Sequence, residues 1–369
     1  MSRDPHEALA RHLSAVGMGY PYREELLEIL RTNFTEEEAE TALLLPTGGL
    51  PLEAKTVEEI AARSGRPAEE LGEGLAKLAA RGLLFSGKNA RGEVGYALHQ
   101  VGYGFPQSFF WRGEDTPHAR EMTRLVLKYF NRETTAHAFA GSETKPYRYV
   151  PVDQSLRPDL QAVLPHHAMD AVLDGASRFA LAHCPCRVQV GLLGKGCNHP
   201  IEVCLKFDEL AGYLIDRGLG REITRDEARD VVRQSAEAGL VHFVDNARGR
   251  VKHNCNCCGC ACWNVGSIRR RKIPRDALMA TYFLRRTDED RCAGCGRCAE
   301  VCPVDAVRMD GATPRIDEAW CIGCGVCARA CDFEAVELFV RPDRQADLPE
   351  DFETLHRRIR AEKEHDSRT

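Results

Sequence analysis

The stretch Cys292-Ala-Gly-Cys295-Gly-Arg-Cys298-Ala-Glu-Val-Cys302-Pro303 returns as Cys321-Ile-Gly-Cys324-Gly-Val-Cys327-Ala-Arg-Ala-Cys331-Asp332. Each copy reads C-x2-C-x2-C-x3-C. That spacing is set by cluster geometry. Three thiolates in a loop that curls around a cube reach three irons, and the fourth, opening a short helix, points away toward the other cube. The pattern predicts two [4Fe–4S] clusters. Cys292, Cys295, Cys298 and Cys331 would hold the first; Cys321, Cys324, Cys327 and Cys302 would hold the second. Gly294, Gly296, Gly323 and Gly325 let both loops fold tightly and aim backbone amides at sulfur. The competing tenant is zinc, which usually takes its cysteines as separated pairs.

Over about fifty residues this segment resembles the bacterial two-cluster ferredoxin family. The resemblance implies a ferredoxin fold for residues 286–340 and single-electron chemistry. Asp332 stands where that family often has proline. The four ligands are unaffected, and a carboxylate nearby is expected to lower that cluster's potential.

Working outward, all seventeen cysteines of the 369-residue chain lie between Cys184 and Cys331. An odd set confined to one half is not the disulfide framework of a small secreted protein. No charged segment followed by an apolar run opens the chain, no twin-arginine signal is seen, and no apolar run approaches a membrane span. The expected compartment is a reducing cytoplasm. The net charge of −5 gives no global attraction to nucleic acid or anionic lipid.

Nine cysteines lie in a middle region, residues 116–285. Phe179-Ala-Leu-Ala-His-Cys184-Pro-Cys186-Arg reads as a strand, in which both thiols would point the same way. After a glycine-rich loop come Cys197 and Cys204, so Cys184, Cys186, Cys197 and Cys204 form a candidate third cluster site. Five more, Cys255, Cys257, Cys258, Cys260 and Cys262, fall within eight residues and form a candidate fourth. One or two further iron–sulfur clusters are expected here, with zinc in one group or a shared cluster as alternatives. Adjacent Cys257 and Cys258 diverge in a regular strand, so one of the five is expected to be spare or to serve a neighbouring site. The CPCR, cysteine-pair and CNCC combination resembles multi-cluster ferredoxin-type proteins of anaerobes. His199, His242 and His253 are read as hydrogen-bonding or surface residues rather than ligands. Between the cysteines, Lys206–Arg217 carries a helical apolar stripe. Thr224 with Glu227 forms a capping box for a helix ending near Gly239, and a strand runs from Leu240 to Val244. The run Arg269-Arg-Arg-Lys272 with Arg275, Arg285 and Arg286 is either a solvated face or a group that hydrogen-bonds cluster sulfurs or docks an acidic redox partner.

The first 115 residues predict helices at Arg23–Arg31, Glu36–Leu45, Thr56–Ser64 and Pro67–Arg81. Two strands then flank a polar turn, Ser86–Gly92. This looks like the winged-helix family over about sixty residues. Its candidate recognition helix carries Glu69, Glu70 and Glu73 against Lys77 and Arg81, which suits a protein partner or a second copy better than DNA. Residues 341–369 read as a charged, solvated tail.

The expected class is therefore α+β and multidomain. A winged-helix-like domain, a mixed cysteine-rich domain and a dicluster ferredoxin domain are followed by the tail. The expected function is electron relay to a partner redox enzyme. Two alternatives stay open: an oxidoreductase subunit with a substrate-contacting cluster, and a redox-sensing regulator. The absence of G-x-G-x-x-G, Walker A and C-x-x-C-H motifs leaves no other cofactor site in view.

Overall fold

Local caps set the helices of the first hundred residues. The Asp4 carboxylate accepts from the His6 amide at 2.9 Å and opens Pro5–Ser14. Helix Glu24–Asn33 follows. Thr35 and Thr56 each form a complete capping box, with Glu38 and Glu59, ahead of Glu36–Leu43 and Val57–Ser64. Gly65 ends the latter in the left-handed conformation, φ 71°. Ala68–Ala80 is the next helix, and strands β1 (Lys55–Thr56), β2 (Phe85–Lys88) and β3 (Val94–Ala97) make an antiparallel sheet in the order β1-β3-β2.

The structure is a computed structural model that describes residues 4–89, 91–152, 155, 165–343 and 348–366. Ala90, which falls between β2 and β3 in the sequence, and parts of the middle region and the expected tail, lie outside the described residues.

The middle region supplies a seven-stranded sheet. Its strands are β4 (Tyr147–Val150), β5 (Phe179–His183), β6 (Glu202–Phe207), β7 (Arg221–Ile223), β8 (Val241–Asp245), β9 (His253–Cys257) and β10 (Met279–Ala280). They are ordered β10-β4-β8-β9-β6-β5-β7, and every pairing except β10 with β4 is antiparallel. Period-two alternation gives the sheet two buried faces. Leu181, Leu205, Phe207 and Val244 pack on one side with Val172 and Leu173 of helix Met169–Asp174 and Ala228 and Val232 of helix Arg225–Glu237. Ala182, Cys204, Tyr147, Tyr149, Phe243 and Cys257 join the larger core on the other.

Two expectations for this region change. The first strand ends at His183, and Cys184 caps the helix Pro185–Leu192. Proline at the first helical position has no N–H to leave unpaired and has φ pre-set for a helix. Cys184 and Cys186 are thus placed by a helix start, not by strand alternation. The stripe from Lys206 begins as β6 and becomes helix only at Asp208–Asp216. The Thr224 capping box forms with Glu227.

The C-terminal region holds two short antiparallel ribbons. β11 (Phe283–Thr287) pairs with β14 (Val336–Val340), and β12 (Val307–Asp310) with β13 (Thr313–Ile316). Helices Arg297–Glu300 and Val326–Arg329 each carry the third cysteine of a motif, Cys298 and Cys327, and end before the fourth, so Cys302 and Cys331 follow a short helix rather than open one. The expected boundary at 285/286 falls inside β11. The core containing Leu9 and Leu30 also contains Cys302, Cys321 and Phe352, so the regions share apolar packing.

The end of the chain is not a solvated tail. Phe352–Asp366 is a helix whose Phe352, Leu355, His356 and Ile359 are buried. Leu355 and Ile359 pack on Ala247, and His356 Nε2 meets the Tyr103 hydroxyl at 3.0 Å. A narrow apolar stripe suffices when a long-range partner buries it. Among the described residues no helix is long and apolar enough to cross a membrane.

Candidate metal centres

The eight cysteines of the repeated motif line two adjoining cavities. Cys292, Cys295, Cys298 and Cys331 line the first. Cys302, Cys321, Cys324 and Cys327 line the second. Each cavity therefore receives three thiols from one loop and the fourth from the other. Gly294, Gly296, Gly323 and Gly325 all have positive φ. A Cβ on Gly323 would collide with the Phe283 carbonyl of β11, so this loop can approach the ribbon only with glycine there.

Arg285 lines both cavities. Its side chain is buried and its Nε and Nη1 have no hydrogen-bond partner among the described residues, while Nη2 donates to the Thr287 hydroxyl. Burial opposes its charge, but the thiols of Cys327, Cys298 and Cys321 outweigh that and push its pKa up. A buried cation with open N–H groups, set between eight thiols, matches the requirement of two anionic thiolate clusters.

Residues 285–332 match the family model of the 4Fe-4S dicluster domain. No curated protein and no solved structure matches the chain. The dicluster domain thus rests on cysteine spacing, on the match, and on thiols converging in two cavities. The chain carries a 4Fe-4S dicluster domain at residues 285–332 within a mixed α/β architecture.

The nine middle cysteines sort differently from their order in sequence. Cys184, Cys186, Cys204, Cys255, Cys257 and Cys262 line one cavity of about 90 Å³. Sheet register explains it. Leu205 and Lys206 of β6 face Asn254 and His253 of β9, a register that, continued by one residue, sets Cys204 opposite Cys255. Ala182 of β5 faces Cys204, and the Cys184 amide donates to the Ile201 carbonyl at 2.8 Å, bringing Cys184 to the same end. Cys257 and Cys262 lie 3.2 Å apart between sulfurs. Cys197, Cys258 and Cys260 form a separate trio with ligand atoms within 4.8 Å of one another. The chain-order groups therefore do not hold together: Cys197 leaves the first, and Cys258 and Cys260 leave the second. All nine are free thiols.

Two buried cations serve these groups. Lys206, two residues from Cys204 and on the same face of β6, stands over the Trp111 ring at 5.5 Å. Burial would lower its pKa, yet Cys204 and Cys255 raise it overall. Arg187, from the CPCR segment, donates through Nη1 and Nη2 to the Asn256 carbonyl at 3.2 and 3.1 Å. Burial again opposes the charge, and Cys184, Cys257 and Cys258 more than compensate. Asp245 adds to the thiols in raising the Lys206 pKa, while the main charges acting on Arg187 are those of thiols. A cation near the thiols was readable for Lys206 from the two-residue spacing in an apolar strand, and for Arg187 from its place beside Cys186; neither reading was made from the sequence.

Six aromatic rings also line the six-thiol cavity, Trp111, Phe130, Phe139, Tyr147, Phe243 and Trp263, together with polar Gln107, His253 and Asn256. Phe130 and Trp263 stack at 5.3 Å. The histidines do not enter the trio. His242 Nδ1 meets Asn256 Oδ1 at 2.5 Å, and His253 Nδ1 stands 3.2 Å from Asp245 Oδ1. His199 is half-buried in the cleft beside Arg187.

Tyr149 of β4 connects the two regions. It is buried, and its hydroxyl has no hydrogen-bond partner among the described residues. Burial, then Cys262, Cys257 and Cys324, push its pKa well up. Its hydroxyl is thus within electrostatic reach of the six-thiol cavity and of the second dicluster cavity.

The basic run is divided: Arg275 and Arg285 are buried and Arg271 half-buried, while Arg269, Arg270, Lys272 and Arg286 are exposed. Arg271 donates to the Val304 and Asp305 carbonyls at 2.9 and 2.8 Å and lies over the Trp320 ring at 4.5 Å. Arg269 pairs with Asp305 at 3.0 Å, and Arg275 donates to the Cys321 carbonyl at 2.6 Å. Arg286 pairs with Glu337 at 2.8 Å.

Proposed function

We propose that this chain is an electron-transfer protein that relays single electrons between its dicluster domain and a redox centre in the six-thiol cavity, and onward to a partner redox enzyme. Cys292, Cys295, Cys298 and Cys331 would hold one [4Fe–4S] cluster, and Cys302, Cys321, Cys324 and Cys327 the other. Bound there, such clusters supply one-electron redox chemistry at low potential. Cys184, Cys186, Cys204, Cys255, Cys257 and Cys262 would hold a further iron–sulfur centre. The observation that carries the reading is one shared buried core, to which Cys257 and Cys262 of the cavity, Tyr149, and Cys302, Cys321 and Cys324 of the second quartet all belong.

The protein residues have distinct tasks in this reading. Arg285 and Lys206 balance thiolate charge in the dicluster domain and the cavity respectively. The arginine clamp of Arg269, Arg271 and Arg275 fixes the dicluster domain against the sheet. Cys295 is exposed, which gives the first cavity a face toward solvent and a partner. Helices Glu36–Leu43, Val57–Ser64 and Ala68–Ala80 with β1–β3 support a winged-helix reading of the N-terminal domain. Glu69, Glu70 and Glu73 are exposed on its last helix, which favours a protein partner or a second copy over DNA. A reducing, anaerobic cytoplasm fits the seventeen free thiols.

A second reading has its own support. The six-thiol cavity is also lined by six aromatic rings and Lys206, a setting in which a redox centre could meet a small apolar substrate. Anaerobic iron and sulfide counts with EPR test the first reading. More than about eight irons per chain, the content of two [4Fe–4S] clusters, are expected. A count of eight, unchanged by Cys257→Ser, would remove the cavity from the relay.

A further inference from the structure

Cys197, Cys258 and Cys260 stand apart from both the dicluster cavities and the six-thiol cavity. Their sulfurs lie within 4.8 Å of one another, and Cys197 Sγ is 3.9 Å from Cys258 Sγ. A tetrahedral ion with metal–sulfur bonds of about 2.3 Å holds its sulfurs about 3.8 Å apart. The trio therefore has the spacing of three ligands on one ion. In a cubane cluster each thiolate sits on its own iron, and the sulfurs stand farther apart. The same chain supplies the comparison. Among the described residues, no three thiols of either dicluster quartet, or of the six-thiol cavity, come within this mutual 4.8 Å.

The surroundings are compatible with charge on the trio. Arg187 is buried, and Cys258 of the trio acts on it together with Cys184 and Cys257 of the six-thiol cavity. Three thiolates on a divalent ion carry one net negative charge, which a guanidinium beside Cys258 suits. The connectivity fits as well. Cys258 and Cys260 form a close pair just past β9, and Cys197 comes from the loop after helix Pro185–Leu192, so an ion here ties that loop to the end of the sheet.

We propose that Cys197, Cys258 and Cys260 bind one thiophilic divalent ion of the zinc class, separate from every iron–sulfur cluster. No fourth His, Cys, Asp or Glu joins the trio among the described residues. The fourth position is therefore left to water or an exogenous ligand, the arrangement of an open rather than a closed zinc site.

The test uses the full chain, produced anaerobically with iron and zinc supplied. Elemental analysis should find one zinc per chain beside the iron. Cys260→Ala and Cys197→Ala should each lose that zinc while iron, sulfide and the EPR spectrum stay unchanged. Cobalt loaded in place of zinc should give the visible bands of a tetrahedral thiolate site, absent in Cys197→Ala. Loss of about four irons per chain in either variant would make the trio part of a [4Fe–4S] site and overturn the proposal. A wild-type chain with no zinc and no cobalt bands would overturn it too. Cys260 is exposed, so Cys260→Ala serves if Cys258→Ala fails to fold.

Discussion

The backbone N–H of Val152 donates to the Cys324 carbonyl at 2.9 Å. This bond fastens the chain just past β4 to the loop of the second dicluster cavity, with Tyr149 three residues earlier. Replacing Tyr149 by Phe removes a buried hydroxyl that no group among the described residues satisfies. If that hydroxyl donates to a cluster in the holoprotein, the loss is one hydrogen bond of about 0.5–1.5 kcal/mol, or roughly 20–60 mV for one electron. One cluster potential should fall by that amount in an EPR-monitored redox titration. Identical potentials in wild type and variant would show that Tyr149 contacts no cluster.

Arg285 should tune both dicluster potentials, because it lines both cavities. A hydrogen bond to a charged group contributes about 1.5–3 kcal/mol, roughly 60–130 mV for one electron. Arg285→Met should therefore make both potentials more negative, with Arg285→Lys falling between. A shift in neither would place the guanidinium outside the clusters' reach.

Swapped pairing of the cysteine loops gives a sharp non-additivity. Cys295→Ser with Cys331→Ser should lose about four irons, no more than either alone, because both thiols line the same cavity. Cys295→Ser with Cys327→Ser should lose about eight. A loss of about eight irons in both double variants would mean that each loop closes on its own cluster.

Acid should loosen the C-terminal helix. Burial holds His356 neutral, with a pKa lowered to about 4; Asp245 pulls the other way, and His253 and Lys363 reinforce the effect. The Tyr103 hydroxyl and Phe352 ring complete its surroundings. The unfolded histidine titrates near 6.5, so the unfolded state binds the extra proton first. Stability is full above about pH 6.5 and declines as pH falls toward 4, by on the order of 3 kcal/mol. Hydrogen exchange of Phe352–Asp366, corrected for intrinsic rates, should quicken between pH 7 and 5. In His356→Gln that dependence should flatten; an unchanged slope would assign it to another group.

Arg271→Ala should weaken the seating of the dicluster domain. It removes two donors to backbone carbonyls and a contact with Trp320. A charged hydrogen bond contributes about 1.5–3 kcal/mol, and a loss of that order should appear as earlier proteolysis between residues 269 and 283, with the iron count retained. Resistance equal to wild type would show that Arg269 and Arg275 suffice.

Much of this was legible because its causes are local. Thr35, Thr56 and Thr224 cap their helices through residues three positions on, and a capping box is written within four residues. The dicluster spacing is equally local, since each loop carries three of its thiols in seven residues. Lys206, Arg187 and Tyr149 were not singled out, because a lone cation or tyrosine in an apolar run acquires meaning only beside thiols from other strands.

By itself, then, the sequence determined the repeated cysteine loops, the capped helices and the mixed α/β character, all consequences of spacing within a few residues. Only the tertiary structure decided how nine middle cysteines divide into six and three. In an antiparallel sheet, register across strands, not distance along the chain, sets which thiols meet: Cys204 joins Cys255 across β6 and β9, and Cys258 crosses to Cys197. The fate of the basic run and the last helix was settled the same way. Arg271 found Trp320 and Leu355 found Ala247 through contacts remote in sequence.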